Sequence, residues 1–248
     1  STQSTWGREN MEAKQYLLLM AVVATIAGSA NGVKMNCLSW RLAVETNNLI
    51  KWKTVPMGCG KYVAHYMLGH QYKDDVRMVA DAAWGYALSV NLTGIAKPIW
   101  VYDIDDTTLS NLPYYKDNGF GTLPYNATSY NEWEAKGIAP EIPGVLWLYR
   151  NLISIGIKAV FMSGKPDFRL PVVSKNLNDA GYRSIERLYL KGGNFTGQST
   201  GSMKETLRTM LVSEGFTIVG NIGDHWSDIS GNNVGLRAFK VPDPMYYV

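Results

Sequence analysis

Six polar side chains in this sequence have the types and order that one reaction needs. Asp103 and Asp105 flank Ile104 in the run Asp103-Ile104-Asp105-Asp106-Thr107. Ser163-Gly164 closes an apolar stretch, Lys204 follows, and Asp224 and Asp228 stand four residues apart. Phosphoryl transfer requires a nucleophile, a proton donor for the leaving group and positive charge around the equatorial oxygens. Asp103 can attack phosphorus and form an aspartyl phosphate. Asp105 can protonate the departing alcohol and then deprotonate water. Clustered carboxylates repel one another and repel phosphate, and a hard divalent cation resolves both problems. Mg²⁺ suits such oxygen ligands. Asp103, Asp224 and the main-chain carbonyl of Asp105 would hold it, with Asp228 a further ligand or the orienter of one. Ser163, on its turn with Gly164, would donate to a phosphoryl oxygen. Lys204, read as lying in the first turn of a helix, would neutralise charge with help from the helix's positive end.

Each of these residues alone has a plainer reading. An Asp after a strand often caps a helix, Ser-Gly often forms a turn, and a lysine is usually a solvated surface group. Their order at successive strand ends is what points to chemistry, so the elements that position them matter. Residues 99–102, after Pro98, form a short apolar run that stops at Asp103 and reads as a buried parallel strand. Residues 157–162, 187–190 and 216–222 read the same way. Helical patterns over 145–155 and 171–180 separate them, and a capping box from Ser202 to Glu205 starts a helix that Gly215 closes. Upstream, 73–90 has helical spacing, and within 38–52 Leu38, Leu42, Leu49 and Trp52 share one helical face. The alternation predicts an α/β fold: a Rossmann-like parallel sheet with helices on both faces, after an N-terminal helical segment. In such sheets ligands bind beyond the carboxyl ends of the strands. Residues 108–143 interrupt the alternation, are rich in Gly, Pro, Asn and aromatics, and read as a small cap inserted after the first strand. Tyr114, Tyr115, Phe120, Tyr125, Tyr130 and Trp133 would form the cap's own core or stack on an aromatic leaving group.

Composition narrows the function. Of 248 residues, 46% are hydrophobic and 18% charged, which excludes a disordered polyelectrolyte. A net charge of +3 gives no reason to expect a nucleic-acid partner. Three His and two Cys are too few for a zinc ribbon or a histidine-rich dinuclear centre. No His sits in an Arg-His-Gly nucleophile motif, and Ala159 and Pro166 break any P-loop around Gly164-Lys165. Residues 1–30 read as a leader followed by a secretory signal peptide: Met11, Lys14, a 13-residue apolar stretch over 16–28, then Gly28, Ser29 and Ala30. A membrane span needs about 20 apolar residues, so a signal anchor is the weaker reading and no stable membrane insertion is expected after cleavage. Residues 31–248 are read as a single domain. Secretion predicts a bridge between Cys37 and Cys59, and Asn91, Asn126 and Asn194 head sequons for glycosylation.

The order DxDxT, Ser-Gly, Lys, GDxxxD resembles that of the haloacid dehalogenase-like phosphatases. The blocks CLSWRLAVETNNLIKW from Cys37, VYDIDDTTLSNLPYY from Val101, IVGNIGDHWSD from Ile218 and FKVPDPMYYV from Phe239 resemble the plant class B acid phosphatases and vegetative storage proteins. By position, the resemblance implies Asp103 as nucleophile, Asp105 as acid and base, Ser163 and Lys204 at the phosphate, and Asp224 and Asp228 at the metal. Asp106 stands where relatives usually have Glu. Lys165 replaces the usual Arg, keeping the charge and losing the bidentate fork. The wording before Lys204 departs from the family's, which leaves Lys191 as a second candidate. The resemblance further implies small phosphomonoester substrates, an acidic optimum, a vacuolar or extracellular location and a homodimer. It also leaves two functions open: an acid phosphatase, or a storage protein on the same scaffold.

Overall fold

The computed structural model describes residues 35–247. The leader and signal peptide read over residues 1–30 lie outside them. Five strands form one parallel sheet in the order β3-β2-β1-β4-β5. They are β1 (Pro98–Asp103), β2 (Lys158–Pro166), β3 (Ile185–Lys191), β4 (Thr217–Gly223) and β5 (Arg237–Lys240). Alternate residues face opposite ways, as the strand period of two requires. Trp100, Tyr102, Ala159, Phe161 and Val219 point into one core, and Ile99, Val101, Val160, Met162 and Ile218 into the other.

Helices cover both faces. Working along the chain, α1 is Cys37–Glu45, α2 Gly60–Leu68, α3 His70–Ser89, α4 Leu112–Asp117, α5 Ala127–Glu134, α6 Pro143–Ser154, α7 Leu170–Asp179, α8 Thr200–Ser213 and α9 Trp226–Ile229. Val76, Ala80 and Ala83 of α3, Val145, Leu148 and Leu152 of α6, and Val173 and Leu177 of α7 fill the larger core. Met203, Leu207 and Leu211 of α8 cover the opposite face. Residues 108–143 leave the sheet after β1 and carry α4 and α5. Tyr114 packs edge-on to Tyr130 at 5.1 Å and against Trp133 at 5.9 Å, giving this insertion an aromatic centre of its own. Among the described residues, no helix is long and apolar enough to cross a membrane.

Three local expectations need correction. The sequence pattern shows four strands and misses β5, whose four residues Arg-Ala-Phe-Lys carry one fully buried side chain. Tertiary packing makes it a strand: Phe239 stacks on Trp100 at 5.5 Å, and Trp100 itself lies over Gly220, where no side chain competes for the space. The helix that carries Lys204 starts earlier than the Ser202 capping box. Its N-cap is Ser199, whose side chain accepts from the Ser202 amide at 3.2 Å, so Lys204 is the fifth helical residue and lies beyond the first turn. Glu205 instead accepts from Asn232 at 2.5 Å. Finally, α1 buries Trp40 and Val44, while Leu38 and Leu42 are exposed. The helix ends at Glu45, so Leu49 and Trp52 are not on it, and Trp52 packs edge-on to Trp40 at 5.4 Å from the following loop.

Cys37 and Cys59 are joined by a disulfide that ties α1 to the start of α2. Asn91, Asn126 and Asn194 are all exposed, and Asn126 caps α5 by accepting from the Ser129 amide at 3.2 Å.

Candidate active site

The site lies at the carboxyl ends of β1, β2 and β4. Buried apolar residues carry β1 straight to Asp103, and then the chain turns tightly. The amides of Thr108 and Leu109 donate to the Ile104 carbonyl at 3.0 and 2.9 Å, and Asp106 adopts a left-handed φ of 52°. This turn aims Asp103 and Asp105 outward and sends Asp106 back into the interior, where it accepts from the Asn111 amide at 2.8 Å. An aspartate tolerates that backbone because its short polar chain bonds locally.

Asp224 and Asp228 reach the same place from β4 and α9. The carboxylate oxygens of Asp103, Asp224 and Asp228 lie within 4.8 Å of one another, and all three residues are buried. Thr107 donates to Asp224 at 2.8 Å, and His225 Nδ1 lies 2.5 Å from the other Asp224 oxygen. The His225 amide donates to Asp228 at 3.0 Å. Buried Arg208 holds the α9 turn from below, donating to the carbonyls of Asp228 at 2.9 Å and Ser230 at 2.6 Å. Lys204 Nζ sits between Asp103 and Asp228, bonded to both, at 2.6 Å from the latter. A trio of buried carboxylates offers a hard, oxygen-only donor set. Three carboxylates outnumber the two cations beside them, Lys204 and His225, so the trio fits a divalent cation such as Mg²⁺.

Asp105 stands apart from the trio. One of its oxygens accepts from Ser163 Oγ at 3.0 Å. The other accepts from Lys165 Nζ, from Asn111 at 3.3 Å and from the Tyr130 hydroxyl at 3.3 Å. Its carboxylate is therefore not part of the acidic cluster, and only its main-chain carbonyl is left for a cation. Ser163 is fully buried and donates to Asp105. Gly164 lies against the start of α8: a methyl group there would come within 2.7 Å of Thr200, so the close approach demands glycine. Lys191 donates to the Gln198 carbonyl and does not line the cleft, which leaves Lys204 as the lysine at the trio.

The electrostatics follow from burial and neighbours. Burial pushes Asp103 well above the usual carboxylate range, against the opposing pull of Lys204. Burial acts on Asp105 as well, but Lys165 and the hydrogen bonds from Lys165, Ser163 and Asn111 outweigh it and hold the group low. Asp106 is raised to about 7 by burial and by Asp224. Burial opposes the charge on His225, yet Asp224 overcomes it and the imidazole is pushed up to about 10. Lys204 and Lys165 are both raised, burial being outweighed by their carboxylate partners. A cleft of about 680 Å³ opens over Asp103, Asp105 and Lys204, walled by Tyr125 and Tyr130 of the insertion and by Trp52 and Tyr247.

Sequence reasoning missed Thr107, Asn111, Glu134, Arg208, His225 and Asp243, all buried at or beside the site. Thr107 closes the DxDxT motif and His225 sits beside Asp224, and these places are the signal they carry. Asp243 lies in the block from Phe239 and accepts from the nearby Met245 amide, whereas Glu134 and Arg208 carry no signal, because their partners are distant in the chain.

The family model described as HAD superfamily, subfamily IIIB (acid phosphatase) matches residues 22–248. Acid phosphatase 1 of Solanum lycopersicum is 40% identical over 215 residues, 87% of this chain and 84% of its own. The stem 28 kDa glycoprotein of Glycine max is 40% identical over 217 residues, 87% of this chain and 85% of its own. Vegetative storage protein 2 of Arabidopsis thaliana is 39% identical over 215 residues, 86% of this chain and 80% of its own. Among solved structures, the class C acid phosphatase from Bacillus anthracis shares the fold, with a TM-score of 0.62 at 21% identity, covering 74% of this chain and 83% of that one.

Proposed function

The chain belongs to subfamily IIIB of the HAD superfamily, the acid phosphatases, and from that premise we propose that it hydrolyses small phosphomonoesters through covalent catalysis by Asp103. The observation that carries the reading is the convergence of Asp103, Asp224 and Asp228 within 4.8 Å around the Lys204 ammonium, at the floor of an open cleft.

Asp103 attacks phosphorus in line with the departing alcohol, forming an aspartyl phosphate that water then hydrolyses. Asp103, Asp224, Asp228 and the Asp105 carbonyl would hold a divalent cation, Mg²⁺ by the donor type, which would neutralise charge on the carboxylates and the phosphoryl oxygens. Lys204 opposes the effect of burial on Asp103, pulling it toward the ionised form, and draws the phosphate's charge toward the floor. Thr200, at the start of α8, lines the same cleft beside Gly164. Asp105 gives the leaving oxygen its proton and later takes one from the attacking water. Lys165, Ser163 and Asn111 favour the ionised form of Asp105, so its protonated share grows as the pH falls. This is a physical reason for an acidic optimum.

Storage on the same scaffold is the second reading, favoured by the similarity to vegetative storage protein 2. A reservoir has no need of a buried nucleophile with its lysine and acids in place, so an active site is preferred, with or without a storage role. The disulfide, the exposed sequons and the similarity to a stem glycoprotein support passage through the secretory route to a vacuole or the extracellular space.

The test is turnover of an aryl phosphate. We expect activity that EDTA removes and Mg²⁺ restores, and a loss of about 10⁴-fold or more in Asp103→Asn with the fold retained. Undiminished turnover in that variant would reject the mechanism.

A further inference from the structure

We propose that Glu134, a buried carboxylate on the insertion helix α5, is a positioning residue for Asp105 and acts through Lys165. The inference rests on the reading of Asp105 as the proton donor and acceptor.

Glu134 is 8% exposed on a helix whose other charged side chain, Glu132, faces solvent. A carboxylate is costly to bury and stays buried only when paired. Here each oxygen has a cation. Oε1 lies 2.9 Å from Lys165 Nζ, and Oε2 lies 3.1 Å from Arg169 Nε. Arg169 also donates to the Asn131 carbonyl at 3.3 Å, so two points of α5 are gripped.

The same Lys165 ammonium bonds Asp105 and donates to the Tyr130 hydroxyl at 3.2 Å. The ammonium thus donates to Asp105 and Tyr130 and forms an ion pair with Glu134, so three partners hold it. Two of those three partners, Glu134 and Tyr130, come from α5. Lys165 is thus held at a fixed point between the insertion and the loop after β1. Its pull on Asp105 is shared with a second anion and is weaker than in an isolated pair. Without Glu134, the ammonium either settles wholly on Asp105, which then takes up the proton it must donate less readily, or swings into the cleft and leaves one Asp105 oxygen without its strongest partner. Both outcomes spoil proton transfer to the leaving group and spare the attack by Asp103.

Leaving-group dependence separates this role from simple support of the insertion. A good leaving group departs without a proton and a poor one does not. The value of kcat/KM reports the first phosphoryl transfer and is measured across esters from an alkyl phosphate to 2,4-dinitrophenyl phosphate, with Mg²⁺ present. For Glu134→Gln we expect a loss of about 30-fold or more on the alkyl ester and less than about threefold on the dinitrophenyl ester. Lys165→Met should show the same selectivity, and Lys165→Arg, whose fork can span both carboxylates, should restore the wild-type ratio. Asp105→Asn sets the reference slope. If Asp105→Asn is selective while Glu134→Gln loses equally on all esters, Glu134 only supports the fold and the proposal fails. If Asp105→Asn itself loses equally on all esters, Asp105 is not the proton donor, and the proposal falls with that reading. Should Glu134→Gln not fold, Glu134→Asp and Lys165→Met carry the same comparison.

Discussion

Two lysines in this protein each sit between two carboxylates, and the two arrangements are built differently. Lys204 lies between Asp103 and Asp228, and every member comes from the parallel-sheet scaffold: the end of β1, the body of α8 and the short helix α9. Lys165 lies between Asp105 and Glu134, and joins the scaffold to the insertion. The first cluster has an acid in excess, because Asp224 adds a third carboxylate within 4.8 Å, and it opens to a cation. The second is balanced, two cations to two carboxylates, because Arg169 joins Lys165 at Glu134. Excess negative charge suits a place that recruits metal. Balanced charge suits a place that holds a proton-transfer group still.

The comparison can be broken from either end. The largest effect is expected at Lys204. Lys204→Met leaves Asp103 and Asp228 facing each other without the ammonium, and kcat on an aryl phosphate should fall by about 10³-fold. Lys165→Met should cost less than about tenfold on the same ester, since only proton transfer is impaired. Equal losses would erase the distinction drawn between the clusters.

Metal removal sharpens it. Asp224→Asn should weaken Mg²⁺ binding, measured by calorimetry on the metal-free protein, by about 10- to 100-fold or more. Glu134→Gln should leave that affinity within about twofold of wild type. A strong effect of Glu134 on metal affinity would mean the two clusters act as one.

The disulfide comes next, as it frames the segment that carries the Trp52 wall of the cleft. Opening it with Cys37→Ala and Cys59→Ala should cost about 3 kcal/mol, on the order of 10 °C in Tm by calorimetry. Activity of the folded variant should be largely retained, because neither cysteine touches the acids.

Stability should also depend on pH. Asp106 is raised from 3.8 to about 7 in the fold, so it is protonated inside and ionised when unfolded near neutrality. Its contribution to stability is fully present below pH 3.8 and is lost as the pH rises through about 7. Asp106→Asn should therefore flatten the fall in Tm between pH 4 and 7.5 in EDTA. An unchanged slope would show that Asp106 does not titrate there.

How much of this was legible in advance differs between the clusters for a physical reason. The Lys204 cluster is read from the chain because strand ends are marked twice: by the apolar run that precedes them and by the abrupt polar residue that closes them. Asp103, Ser163 and Asp224 carry both marks, and parallel topology then brings their ends to one edge. The start of α8 differs from its sequence reading by three residues because two serines, Ser199 and Ser202, both suit a cap, and in the fold Ser199 takes that place, its side chain accepting from the Ser202 amide. β5 was invisible because its single buried aromatic becomes meaningful only beside Trp100. Glu134 lies on a short polar helix and reads as a solvated acid. Nothing nearby in the sequence announces that Lys165 and Arg169 will close over it.

The sequence by itself determined the parallel α/β plan, the positions of the acids at strand ends and the pairing of two cysteines, because these follow from periodicity, from abrupt changes of polarity and from counting. Tertiary structure alone decided which residues hold those acids in place. Thr107 on Asp224, Arg208 beneath α9 and Glu134 behind Lys165 are contacts between segments far apart in the chain, and no local pattern encodes a partner that folding has yet to deliver.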